Sequence, residues 1–238
     1  MMMRPKRLFM LDVFRGLAVI AMACYHFGFD LNSAGYIHQD LNNSVAWLTA
    51  RSLILTTFLL ISGISLSIAK ARSDSPSIMR ILRIGLCATL VSAGSYFMFP
   101  DAWIFFGVLH FIVIASLVGR HIDWHPMTLL LVGFVALGLG IFYQSTFFNQ
   151  PLLQWIGFMT FKPVTEDYVP IFPWIGVFLM GIYLGTRFIL SGALVQGDRL
   201  SEGKVLAVPA WLGRHSLLIY MIHQPILLGL LWLFGASI

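Results

Sequence analysis

Residues 11–30 read LDVFRGLAVIAMACYHFGFD, an apolar run broken by Asp12 and Arg15 at one end and by His26 and Asp30 at the other. A membrane-spanning helix needs about 20 mostly apolar residues, and this run has that length. A charged side chain at the centre of such a helix costs about 2.5–3.5 kcal/mol on insertion scales, so it persists where it serves a purpose or turns away from lipid. Arg15 and His26 are eleven positions apart. At about 100° per residue they lie within about 20° of each other around the axis, and about 16 Å apart along it. Asp12 stands three positions before Arg15, and Asp30 four after His26. Both spacings place side chains on one helix face.

One stripe thus carries Asp12, Arg15, His26 and Asp30 from the inner half of the membrane to its outer rim. Two readings follow. In the first, the stripe lines a polar interior: the cation holds an anionic cofactor, and the His26–Asp30 pair acts as general base with its carboxylate orienting the imidazole. In the second, Asp12 and Arg15 form a pair at the cytoplasmic surface and His26 is an interfacial residue.

The rest of the chain has the same character. Of its 238 residues 58% are hydrophobic and 11% charged, against roughly 25% charged in soluble domains. Six further segments approach spanning length: Val45–Ala69, Ile78–Phe99, Trp103–Val118, Met127–Phe147, Pro170–Leu190 and Leu212–Phe234. With Leu8–Phe29 they predict an all-α polytopic membrane protein of about seven helices, forming a single domain over residues 1–238. Leu152–Phe161 is apolar but too short to span, and is expected to lie on the membrane or dip into it. The basic start mimics a secretory signal, but Asp12 and Arg15 interrupt its apolar run and no small-residue cleavage pattern follows, so it reads as a retained first helix.

Twelve of the fifteen Lys and Arg residues share one side of this arrangement. They are Arg4, Lys6 and Arg7; Lys70, Arg72, Arg80 and Arg83; Arg120; and Arg187, Arg199, Lys204 and Arg214. Basic residues favour the cytoplasmic side, so the expected topology is N-in and C-out. The same placement explains the net charge of +5 without a nucleic-acid partner. Cys24 and Cys87 lie in apolar runs and read as small buried residues, with no disulfide framework. The scattered histidines lack the close spacing of metal ligands, so no metal is expected. Gly107, Gly176, Gly181 and Gly185 read as helix-packing glycines, with no phosphate-binding loop among them.

A set of motifs carries a family resemblance. RGLAVIAMACYH, an Arg, ten residues and a His, resembles membrane-bound acyltransferases that modify envelope sugars. The fuller pattern is similar to the transmembrane heparan-α-glucosaminide N-acetyltransferase family and its short bacterial branch. The matching pieces are LDVFRGLAVIAM at 11–22, YHFGFDLN at 25–32, FLLISGISLSI at 58–68, FGVLHFIVIASL at 106–117, PIFPWIGVFLMGIYLG at 170–185 and LGRHSLLIYMIHQPILLG at 212–229. The resemblance implies an enzyme that takes acetyl-CoA from the cytoplasm as acyl donor and acetylates a sugar amine or hydroxyl on the other side. It also implies a bacterial inner membrane as the setting and a sugar or glycan as acceptor. Oligomeric state stays open.

The chain departs from the lysosomal members at one place. They carry Asn where this sequence has His26, and their catalytic His follows about a dozen residues later, near His38. His26 and His38 therefore compete for the base, with the Arg–His spacing favouring His26. Arg51 either faces the same interior, where it would polarise the acyl carbonyl, or reaches to the outer headgroups. CoA phosphates would need the inner basic residues, with Arg72, Arg80 and Arg83 the nearest, beside Arg15 and its neighbour Asp12. His110 reads as a packing or hydrogen-bonded residue, His121 and His125 as interfacial, and His223 as a residue of the last motif for which a supporting role in the cavity is one reading. The competing class is a transporter or flippase for a small polar or lipid-linked substrate, but paired repeats and broken helices are missing. A retinal protein is disfavoured because the last helix has no lysine for a Schiff base.

Overall fold

The computed structural model describes residues 8–41, 43–71, 78–191 and 204–235. Its main helices there are α1 (Phe9–Ser33), α2 (Val45–Ala71), α3 (Ile78–Met98), α4 (Val108–Gly119), α5 (Pro126–Phe142), α6 (Ile171–Leu190), α7 (Lys204–Arg214) and α8 (Ser216–Leu233). Short 3-10 turns cover Pro100–Ala102, Thr146–Asn149 and Pro151–Ile156. No strand occurs among the described residues. Five helices, α1, α2, α3, α6 and α8, are long and apolar enough to cross a membrane.

The fourth and fifth expected spans are shorter than their apolar runs. Helix α4 has 12 residues and α5 has 17, about 18 and 26 Å of rise against a hydrocarbon core of about 30 Å. The reason for α4 is local. Residues 103–107 are not helical, and their backbone is bonded elsewhere: Ser95 Oγ accepts from Ile104 N at 2.9 Å, Ser92 Oγ donates to Ile104 O at 2.6 Å, and Thr165 Oγ1 donates to Trp103 O at 2.9 Å. Non-helical backbone at membrane depth needs such internal partners. Helix α5 stops at Phe142, and Ser145 then caps the 3-10 turn by accepting from Phe147 N at 3.3 Å. The segment expected at the membrane surface, Leu152–Phe161, holds most of the third 3-10 turn, which ends at Gly157 with φ +107°. Burial pushes the Tyr168 phenol well above its ordinary range. It therefore stays protonated and donates to Gln154 O at 2.6 Å, which ties this turn down.

The chain clusters into two compact units, Met1–Phe58 with Leu194–Ile238, and Leu59–Ala193. In the first, α1 packs on α7 and α8. Val13, Ala18, Val19 and Met22 of α1 are buried, while Phe14, Leu17, Ile20 and Phe27 are exposed, as lipid-facing side chains would be. Helices α1 and α7 meet backbone to backbone. A Cβ on Gly16 would strike the Pro209 carbonyl, and one on Gly213 would strike the Asp12 carbonyl. Packing of this closeness, not expulsion from water, joins helices in lipid. In the second unit the fully buried Phe111 and Phe178 meet edge to face at 6.3 Å. Gly176, Gly181 and Gly185 of α6 are the expected packing glycines, since each has a neighbouring helix backbone within 3.0 Å of where a Cβ would sit. Gly107 is not one of them: it precedes α4, and a Cβ there would strike the Asp167 carboxylate.

Candidate active site

The stripe on α1 is turned inward at both ends. Asp12 and Asp30 are buried, with 7% and 4% of their surface exposed, and Arg15 and His26 are half-buried. Val19 and Met22, on the same face between them, are buried as well. At the inner end Arg15 Nη1 lies 2.9 Å from Asp12 Oδ1. This pair is the one that the second sequence reading names, at the i, i+3 spacing. It partly neutralises the guanidinium, so any anion near Arg15 competes with an existing carboxylate.

At the other end the structure brings α1 and α8 together. Gln224 Nε2 donates to Asp30 Oδ1 at 3.3 Å. The His26 ring lies edge-on to the His223 ring, centroids 5.0 Å apart and planes at 60°. His223 Nδ1 lies 2.7 Å from Tyr220 O. Three buried atoms here have no hydrogen-bond partner: Asp30 Oδ2, His223 Nε2 and Gln224 Oε1. Buried polar atoms are seldom left so, and those that are cluster at sites of chemistry. The expected His26–Asp30 pairing is corrected by this geometry. The Asp30 carboxylate is engaged by Gln224, and the His26 neighbour is His223. The physical reason is that i and i+4 positions share a helix face, yet a partner on a packed neighbouring helix competes for the same carboxylate.

The sequence reading gave His223 a supporting place and Gln224 none. The signal available for both was two polar side chains followed by Pro225 inside the apolar helix α8. Proline removes one backbone donor, so the preceding turn has a carbonyl without its helical partner.

His38 is exposed, on the loop after α1, and that loop is pinned by Gln39 N donating to Asn32 Oδ1 at 2.6 Å. Arg51 of α2 is half-buried and within electrostatic reach of Tyr25. The Tyr25 ring meets that of Trp47 edge-on at 5.4 Å. These residues all belong to the first unit. Arg80 and Arg83 belong to the second, and both are exposed in the opening turns of α3. Two guanidiniums beside the positive end of a helix suit a polyphosphate. Arg80 also lines a cavity of about 20 Å³ with Ser62 and Ser116, room for about one water and not for a pantetheine arm. Arg72 lies outside the described residues, as do Arg4, Lys6, Arg7 and Arg199, and nearly all of the loop from Ser191 to Lys204.

A second polar cluster, in the other unit, has Ser, His and Asp but the wrong hydrogen-bond directions for a nucleophile. Gly107 N donates to His110 Nδ1 at 3.2 Å, so Nε2 carries the proton and donates to Ser92 Oγ at 3.1 Å. Asp167 Oδ2 accepts from Val108 N at 2.9 Å. The arrangement caps α4, and the packing reading of His110 holds. His125 likewise caps α5, with Nδ1 accepting from Met127 N at 3.3 Å. Both cysteines are free thiols; Cys24 is exposed and Cys87 half-buried, so the expected burial of Cys24 against protein is corrected. Among the described residues no group of three or more His, Cys, Asp or Glu stands together to hold a metal.

A model of the family described as heparan-alpha-glucosaminide N-acetyltransferase, catalytic, matches residues 7–225. The chain belongs to the heparan-alpha-glucosaminide N-acetyltransferase family. No curated protein and no solved structure matches it. The match runs from just before the Asp12–Arg15 pair to just beyond Gln224, so both ends of the α1 stripe and their α8 partners lie within the family domain. Membership makes this heparan-alpha-glucosaminide N-acetyltransferase family member a membrane acetyltransferase-like protein, with acetyl-CoA the donor that the family uses.

Proposed function

We propose that this chain moves an acetyl group from cytoplasmic acetyl-CoA to a sugar amine or hydroxyl on the outer side of a bacterial inner membrane. The observation that carries the reading is the α1–α8 cluster of half-buried His26, His223 and Gln224 around buried Asp30, built on the helix with the Arg-x10-His spacing. Acetyl transfer needs a base: the acceptor N–H or O–H gives up its proton as its bond to the acyl carbon forms and the C–S bond breaks. The thiolate leaves and is protonated to CoA-SH. His26 takes that proton in this reading, with His38 the second candidate. Arg15 is one candidate for the donor phosphates and Arg72, Arg80 and Arg83 are the others, and Arg51 polarises the acyl carbonyl. Asp12 holds Arg15 in place.

The topology belongs to the same proposal: N-terminus inside, C-terminus outside, with the basic loops facing the CoA pool. The test is transfer of labelled acetyl from acetyl-CoA to glucosamine and to neutral sugars by the purified chain in nanodiscs. Transfer to either acceptor class supports the reading. Acetyl-CoA that neither binds nor turns over with any of them overturns it.

A further inference from the structure

We propose that His223 is the positioning partner of His26, so that the base of this site is a His26–His223 dyad. The proposal rests on the acetyl-transfer reading and goes beyond it by assigning the group that orients the base.

The argument begins with a carbonyl. Tyr220 O has no proton to give, so at 2.7 Å the His223 Nδ1 must be the donor. In the neutral ring Nε2 then carries only a lone pair. That atom is buried and has no partner. The ring beside it is His26, at 5.0 Å between centroids. Two imidazoles joined by an N–H···N bond of ordinary length have their centres about 5 Å apart. The two rings thus stand at the separation such a bond has, and the dyad requires the His26 ring to turn an N–H toward His223 Nε2. His26 N–H would donate to His223 Nε2, which fixes the His26 tautomer and turns its other nitrogen, a lone pair, toward the acceptor sugar.

Asp30 Oδ2 is the rival acceptor, since it too is bare, but no hydrogen bond joins it to His26, whereas the His26 and His223 rings are in contact. The Gln224 assignment is firm: only its amide nitrogen can donate to a carboxylate, so Oε1 is the atom left bare. In the reaction the sugar N–H or O–H proton passes to the free nitrogen of His26 as the bond to the acyl carbon forms. His223 holds the imidazolium by accepting its other N–H, and the imidazolium then passes the acceptor's proton to the departing thiolate, which leaves as CoA-SH.

The test uses the full chain in nanodiscs with acetyl-CoA and glucosamine. His223→Asn keeps an amide able to donate to Tyr220 O but offers nothing at the Nε2 position. The expected result is a kcat lower by roughly 10–100-fold, the usual loss when a group orienting a functional histidine is removed, with an unchanged KM for acetyl-CoA. His223→Gln places an amide oxygen near the lost Nε2 and should recover part of the rate. A kcat for His223→Asn within threefold of wild type overturns the dyad. So does a His223→Gln variant as slow as His223→Asn, which would mark a packing role. Imidazole ¹⁵N spectra of the wild type need no turnover: a protonated Nδ1 and a bare Nε2 on His223 are expected, and a proton on Nε2 overturns the assignment. Wild type that passes acetyl to no acceptor while giving the expected spectrum sinks the acetyl-transfer reading, and the catalytic role of the dyad with it, but not the tautomer.

Discussion

Gln224 Nε2 donates to Asp30 Oδ1 at 3.3 Å, which links α8 to α1 through a carboxylate only 4% exposed. Removing the amide strands a buried acceptor, whereas replacing the acid by its amide keeps a complementary pair. Gln224→Ala should therefore lower stability by about 1–3 kcal/mol, and Asp30→Asn should cost less. Thermal unfolding in nanodiscs checks the order, and equal losses would show that this contact does not hold the helices.

His26→Ala should lower acetyl transfer by roughly 10²–10⁴-fold, the usual contribution of a positioned base, with acetyl-CoA binding retained. His38→Ala should be milder, because its side chain is exposed on the loop after α1. Initial rates of each purified variant decide. Loss with His38→Ala and activity in His26→Ala would reverse the two roles.

Arg15→Ala should weaken acetyl-CoA binding more than it weakens the fold. Asp12→Asn should weaken binding less, because the amide oxygen can still accept from the guanidinium that Asp12 holds at 2.9 Å. Titration calorimetry measures both, and equal affinity in all three proteins would remove Arg15 from the donor site.

Gly16→Ala should destabilise the first unit, since its Cβ would overlap the Pro209 carbonyl. Overpacking of this kind costs about 1–3 kcal/mol. Gly94→Ala, on α3 with open space around its Cβ, is the control. Equal unfolding temperatures for the two variants would contradict the close α1–α7 crossing.

Lys70 donates to Asp123 Oδ1 at 2.8 Å, and this hydrogen bond holds the Asp123 carboxyl below its ordinary range. A depressed folded pKa stabilises the folded form above the unfolded value, 3.8, and that stability is lost as pH falls through the folded value. Asp123→Asn should loosen the loop after α4 at neutral pH and change nothing at strongly acid pH. Hydrogen exchange of Ile122 and Asp123 reads this out, and an effect independent of pH would rule the ion pair out as its cause.

The sequence by itself determined that the protein is a set of apolar helices, that one of them carries Asp12, Arg15, His26 and Asp30 on one face, and which family it resembles. The first two follow from composition and helical period, which are local, and the resemblance rests on the motifs quoted along the chain. The sequence overestimated α4, because Trp103–Gly107 is as apolar as a helix and its backbone partners, Ser92, Ser95 and Thr165 among them, come from other segments. It also placed Cys24 inside, since an apolar residue facing lipid reads like one facing protein. Only the tertiary structure decided the partners within the stripe. Asp30 meets Gln224 and His26 meets His223 because α8 packs on α1. A carboxylate or an imidazole accepts whichever donor the packing brings nearest, and residues almost two hundred positions apart leave no periodic trace of that choice.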